Sequence, residues 1–237
     1  MTLLELFNLA PIVMSELTTE FVRRGNDCIT ADKMSQKSAC FMLTLRSSSL
    51  LFGIGFLMRP ETRDSFDVLM RSFIEARDLL ITFRFDHKGT RDKIGYWFAG
   101  RVDNAWKAEH KKCEEFLNKI GTGESELARR WSMMSTLSHP TYYAASNSAR
   151  ITESWISGRS KFENIVEIME PKIADYLVSV SSLIVAATID LPGWIPLDCD
   201  PARMPNVDIF HASVAEIAIP ILNKTKNTNL PKGSFRE

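Results

Sequence analysis

Hydrophobic residues recur every three or four positions over most of this 237-residue chain, which is the spacing of helices packed in a bundle. The most apolar stretch, residues 64–86, carries such residues around most of its circumference. A helix this apolar belongs in the middle of a bundle, covered by its neighbours. Its main apolar positions are Phe66, Leu69, Met70, Phe73, Ala76, Leu80 and Phe83.

Polar residues form one line along this central helix. Its members follow one another at three- and four-residue steps, so they share one face. They are Asp64, Asp67, Arg71, Glu75, Asp78 and Thr82. The line faces either solvent or an internal polar site, and the sequence leaves both interpretations open.

The pattern predicts an all-α, multi-helix bundle of six to eight helices around a central antiparallel hairpin. The two hairpin helices are predicted at residues 31–58 and 61–85. Their connection through Pro60 is so short that they must be antiparallel neighbours. Gly53 and Gly55 each cost a helix about 1 kcal/mol relative to Ala, so their presence predicts close helix packing there.

Further helices are predicted at residues 2–24, 90–120, 124–138, 161–189 and 206–222. No alternating pattern of useful length predicts a strand. We therefore expect a single helical-bundle domain over residues 1–223, followed by a flexible tail over 224–237, which is polar and lacks periodicity.

Composition is that of a soluble globular protein, with 45% hydrophobic and 24% charged residues. Basic and acidic residues balance, so no net field attracts nucleic acid or an anionic membrane. The apolar segments 43–58 and 176–189 fall short of the roughly 20 residues that a spanning helix needs. The N-terminus lacks the basic start and cleavage site of a signal peptide. These features predict a cytoplasmic protein without a membrane partner.

No metal site and no cofactor are predicted. The four cysteines form no CxxC pair, and the histidines form no HExxH or ExxH pair. Gly-rich phosphate loops and the GxSxG elbow are absent from the sequence as well. The cysteines, which we expect to be reduced, are Cys28, Cys40, Cys113 and Cys199.

Arg71 and Glu75 form the first candidate site. They lie one turn apart on the mostly apolar central helix, so they can make a charge-assisted bond. In the functional interpretation, they are part of a polar pocket between helices, and Asp78 is a ligand-binding residue there. In the simpler interpretation, Arg71 and Glu75 are an ordinary ion pair.

The second candidate is the turn SHPTYY at residues 138–143. Pro140 biases His139 towards an extended conformation at the negative end of a helix dipole, which favours a proton on its ring. His139 then acts as a general acid or base or binds an anionic group; otherwise it only bonds a carbonyl where the helix stops. Hydroxyl groups surround it in the sequence, and those predicted to bind a ligand belong to Ser138, Tyr142 and Tyr143.

We predict that Arg71, Glu75 and His139 converge on one polar pocket and act as its catalytic residues. A buried ion costs several kcal/mol unless it is paired, and a guanidinium has five donors to satisfy. Further partners must therefore come from a neighbouring helix end, which the Ser138–His139 turn supplies. Arg71 would anchor an anionic ligand there.

Two stretches, RSFIEARDLL and STLSHPTYY, resemble an uncharacterised bacterial family of all-helical proteins with an Arg-x-x-x-Glu helix and a Ser-His-Pro turn. The matching positions are Arg71, Glu75, Ser138 and His139. The family has no established activity, but it is distantly similar to the HEPN helical bundles, several of which are ribonucleases in phage defence and toxin systems. The HEPN nuclease signature has four to six residues between an Arg and a His, and no Arg–His pair in this sequence has that spacing.

The resulting hypothesis is a cytoplasmic bacterial protein that acts by binding a ligand or partner, in stress or phage defence. The alternative is a HEPN-like ribonuclease or nucleotide-modifying enzyme that uses His139. The sequence does not decide whether the partner is an unknown ligand, another protein, RNA or a second copy of the chain.

Overall fold

A computed structural model of the protein describes residues 1–32, 34–58, 63–85, 87–101, 107–120 and 162–227. These residues form α-helices with no β-strand among them, so the predicted all-α bundle is confirmed. The first six helices are α1 (Leu3–Ala31), α2 (Gln36–Phe56), α3 (Arg63–Arg84), α4 (Lys88–Phe98), α5 (His110–Lys119) and α6 (Phe162–Thr188). A last helical run follows without a break through α7 (Val207–Ser213), the π-helical turn Val214–Ala218 and α8 (Ile219–Asn227).

The predicted central hairpin is confirmed, because α2 and α3 pack side by side in opposite directions. At one end, Gln36 Nε2 donates hydrogen bonds to the carbonyls of Phe83 (2.6 Å) and Phe85 (3.2 Å). At the other end, Gly53 faces Leu69. Gln36 thus satisfies carbonyls at the end of α3 that have no partner within their own helix.

Helix α6 runs parallel to α3. The hydrogen bonds between them progress in the same direction along both helices: Lys172 bonds Asp67, and ten residues later Ser182 bonds Arg77. The shared core contains six phenylalanines that are each at most 1% exposed: Phe21, Phe41, Phe66, Phe73, Phe83 and Phe210. The last helical run returns along α6, where His211 Nδ1 and Ser181 Oγ are 2.7 Å apart. Helix α2 also contacts α6, where Gly55 faces the hydroxyl of Tyr176, so α2, α3 and α6 all pack against one another.

The prediction of one helix over residues 90–120 is wrong, because α4 ends at Phe98 and α5 begins anew at His110. Gly100 adopts a left-handed conformation with φ +63°. Its N–H bonds the carbonyl of Trp97, and the N–H of Arg101 bonds that of Tyr96. This is the Schellman motif that ends helices at a glycine.

Helix α1 is longer than predicted and ends at Ala31 instead of residue 24. Gly25 lies inside the helix, where a Cβ would come within 3.3 Å of the ring of Phe41. At the other end of the chain, α8 extends to Asn227. The single domain over residues 1–223 and the tail over 224–237 stay predictions.

Within the described residues, α2 is the one helix long and apolar enough to cross a membrane. More than half of its most apolar stretch is buried inside the bundle. A core helix of a soluble protein has the same length and composition, so this is weak support for a membrane segment. The expected cytoplasmic location stays a prediction.

We expect Gly55→Ala to lower the free energy of unfolding and Gly53→Ala to raise it. A Cβ at Gly55 would lie 3.0 Å from the hydroxyl of Tyr176, whose ring is buried, whereas at Gly53 it would make an ordinary 3.5 Å contact with Leu69. Replacing a helical Gly by Ala stabilises by about 1 kcal/mol, whereas overpacking costs about 1–3 kcal/mol. Urea denaturation of both variants measures the difference, and equal effects would contradict this packing.

Candidate functional site

The polar line of α3 divides between the surface and the interior. Arg71 and Glu75 lie towards the surface, with Arg71 Nε 3.4 Å from Glu75 Oε1 and side chains 26% and 48% exposed. Asp78 and Thr82, further along the helix, are fully buried. The line therefore faces solvent over one part of its length and an internal polar site over another.

The remaining predicted site residues, Ser138, His139, Tyr142 and Tyr143, lie outside the described residues. The predicted convergence of Arg71, Glu75 and His139 on one pocket therefore stays a prediction. Asp78 is the predicted site residue that the structure places inside the bundle.

Arg77 and Asp78 form a buried ion pair at the middle of α3. Both side chains are fully enclosed. Arg77 donates from Nε (3.1 Å) and Nη2 (2.9 Å) to Asp78 Oδ1, and from Nη1 to Ser182 Oγ on α6 (2.9 Å). The bond to Ser182 holds the Arg77 guanidinium against α6, and the guanidinium in turn holds the Asp78 carboxylate.

His110 at the start of α5 completes this group. Its Nδ1 is 2.8 Å from Asp78 Oδ2, and its side chain is 35% exposed. An ionised carboxylate only accepts hydrogen bonds, so Nδ1 must carry the proton of this bond. We call Arg77, Asp78, His110 and Ser182 the Asp78 centre. In it, a buried carboxylate orients an imidazole that reaches the protein surface.

Two further bonds hold the beginning of α5 against α3. The backbone N–H of Glu109 donates to Thr82 Oγ1 at 2.9 Å, and the Cys113 thiol donates to the backbone carbonyl of Asp78 at 3.3 Å. Burial raises the pKa of the Cys113 thiol, and the nearby charge of Asp78 raises it further. Cys113 is therefore a packed, neutral thiol and not an activated nucleophile.

Two lysines flank the Asp78 centre and share one carboxylate. Glu109 Oε1 is 2.8 Å from Lys93 Nζ, and Oε2 is 2.5 Å from Lys112 Nζ. Burial acts to raise the pKa of Glu109, but the hydrogen bonds from Lys112 and Lys93 outweigh it, so the pKa is lowered. Glu109 is thus ionised at neutral pH and ties α4 to α5.

Sequence reasoning missed Arg77 and the pairing of His110. A signal for Arg77 existed, because a charged residue within the apolar run before Leu79 and Leu80 must find a buried partner or reach solvent. The partner of His110 lies 32 residues earlier on another helix, and no local spacing reveals such a contact.

Comparison of the chain with protein-family models, with curated proteins and with solved structures found no match. The resemblance to the bacterial family and the distant similarity to HEPN bundles therefore stay predictions. Among the residues that the structure describes, no group of three His, Cys, Asp or Glu side chains is placed to hold a metal ion.

We expect Arg77→Leu to lower the free energy of unfolding by about 3–5 kcal/mol, because it leaves the charge of Asp78 buried without its guanidinium. The matched control is Arg71→Leu, which removes a surface pair on the same helix and should cost about 1 kcal/mol or less. Denaturant unfolding of both variants makes the comparison. Similar losses in the two would contradict a special role for Arg77.

Proposed function

We propose that the protein acts by binding a ligand or partner at the Asp78 centre, with the His110 imidazole as the group that makes the contact. One observation carries this proposal: His110 is partly exposed, yet it is held at 2.8 Å by a carboxylate that is itself fully buried. A side chain anchored from below in this way has its ring held in a fixed orientation. Binding sites use a few convergent polar groups fixed on rigid elements in this manner.

The hydroxyl and thiol groups nearest to the centre favour binding over covalent catalysis. The Cys113 thiol donates to the Asp78 carbonyl, and the Ser182 hydroxyl donates to the Ser179 carbonyl at 2.9 Å. Neither proton is directed at His110, so neither group is prepared as a nucleophile by the imidazole.

The alternative is an RNA-cleaving or nucleotide-modifying enzyme. The Asp78–His110 pair favours it, because a buried carboxylate on Nδ1 is also how general bases are oriented. An RNA substrate brings its own nucleophile, the 2′-hydroxyl, and needs none from the protein. His139 remains the second candidate for the acid or base. The bacterial cytoplasm and the stress or defence setting stay predictions, since no contact described here bears on them.

A thermal-shift screen of wild type and His110→Gln tests the binding proposal. The library should hold nucleotides, phosphorylated sugars, carboxylates and amines. Gln retains a donor for Asp78 but lacks the imidazole, so compounds that stabilise the wild type should lose their effect in the variant. Lys119→Gln, at the far end of the same helix, is the control and should respond like the wild type. Compounds that stabilise wild type and His110→Gln equally would contradict the proposal.

Incubation of wild type, His110→Gln and His139→Ala with total RNA tests whether the protein is an RNA-cleaving enzyme. Cleavage that disappears in His110→Gln or in His139→Ala would favour the enzyme, and the variant that loses it would identify the acid–base residue. Intact RNA in every sample would leave binding as the better account.

A further inference from the structure

Basic side chains gather on α4, on α5 and next to them, although the whole chain has no net charge. The described residues 87–101 and 107–120 contain eight basic and four acidic side chains. A local excess of this sign attracts polyanions even when the protein as a whole is neutral. The basic residues are Lys88, Arg91, Lys93, Arg101, Lys107, Lys111, Lys112 and Lys119.

The structure brings part of this set together around His110. Lys93 on α4 is bonded to Glu109 and lies 3.4 Å from the backbone carbonyl of Lys107. Lys111 and Lys112 follow His110 directly at the start of α5. We call Lys93, Lys107, Lys111 and Lys112 the basic face. Glu109 offsets one of its four charges, and Glu114 and Glu115 follow on the same helix. The positive excess therefore rests on the wider set of eight basic and four acidic side chains.

Two members of the basic face are available to a ligand. Lys107 and Lys111 are exposed and form no ion pair with the residues that the structure describes. Lys93 and Lys112 are occupied by Glu109, which holds the two helices together. The exposed pair and the bonded pair therefore have separable roles, and the exposed pair can be changed without breaking the contact between α4 and α5.

An exposed aromatic group lies on the same helix as Lys93. The ring of Tyr96, one turn further along α4, is 38% exposed, and the Arg101 guanidinium lies 4.7 Å from its centroid. Aromatic rings and guanidinium planes are the groups on which unpaired bases stack. Cations on two neighbouring helices, with such a group one turn from Lys93, suit a strand with repeated phosphates better than one compact anion.

We propose that the basic face and Tyr96 bind single-stranded nucleic acid, with Lys107 and Lys111 contacting phosphates and Tyr96 stacking on a base. Lys111 and Lys112 follow His110 in the chain, and Lys93 is bonded to its neighbour Glu109. The proposal therefore names the ligand class of the Asp78 centre and rests on the proposed function to that extent. The contacts invoked go to backbone and base faces, so the binding is expected to depend little on sequence.

Fluorescence anisotropy with labelled single strands of about 12 nucleotides tests the inference, since sites of this kind cover about 4–16 nucleotides. RNA and DNA strands are measured separately at about 50–200 mM salt. We expect Lys107→Glu/Lys111→Glu to weaken binding about 10-fold or more at about 50 mM salt. The slope of the logarithm of the binding constant against the logarithm of the salt concentration should become shallower by about 1.4, or about 0.7 for each lost phosphate contact. Tyr96→Ala should weaken binding about 5-fold or more.

Lys119→Glu is the matched control, since it makes the same charge change on α5 away from the basic face. It should bind nearly as tightly as the wild type, and circular dichroism should show unchanged helix content in every variant. No binding of either strand, an equal loss in the control, or tighter binding of an acidic peptide of the same charge would overturn the inference. If compounds from the thermal-shift screen still required His110 for their effect, the proposed function would stand although the nucleic-acid inference had failed. The two failures are therefore distinguishable.

Discussion

Two buried guanidinium groups on α3 determine how the rest of the bundle is arranged. Arg77 and Arg84 lie seven residues apart, hence on the same face of the helix, and both are fully enclosed. Arg77 bonds Ser182, while Arg84 Nη1 donates to the carbonyl of Ala186 at 2.9 Å. Leaving such a charge unpaired costs several kcal/mol, so α6 must lie where its polar groups meet both arginines.

Arg84 extends this constraint to the loop after α6. Its Nη2 donates to Asp190 at 3.1 Å and its Nε to the carbonyl of Ile195 at 3.2 Å. Its guanidinium lies 4.8 Å from the ring centroid of Trp194. Burial lowers the pKa of Arg84, with Cys40 and Asp190 acting in the opposite direction. The arginine thus connects α3, the end of α6 and the following loop in one network.

Arg77 extends the constraint in the other direction, towards the surface. Its bonds leave Asp78 Oδ2 to accept from His110, so the position of α5 follows from that of the buried pair. The fold and the candidate site therefore have the same origin. Arg77, which positions α6, also fixes the Asp78 carboxylate that orients the His110 imidazole.

The hairpin of α2 and α3 was predictable because its signals are local: apolar periodicity and a short connection at Pro60. The interior of the site was not. A helix that is apolar nearly all round does not reveal which neighbour its single charges meet, so Arg77 was overlooked. The break before α5 did leave a signal in Gly100, but apolar spacing continuing from Phe98 to Val102 concealed it. Predicting the pair of Asp78 and His110 would have required the packing of α5 on α3, which only tertiary structure supplies.

The tautomer of His110 is the most direct test of the central claim, that a buried carboxylate orients this imidazole. Long-range proton–nitrogen NMR on protein with labelled histidines reports which ring nitrogens carry protons. With only four histidines in the chain, single His→Gln variants assign the signals. The structure predicts a proton on His110 Nδ1 whether the ring is neutral or charged, and a changed signal in Asp78→Asn. An unprotonated Nδ1 at neutral pH, with the same signal in Asp78→Asn, would contradict it.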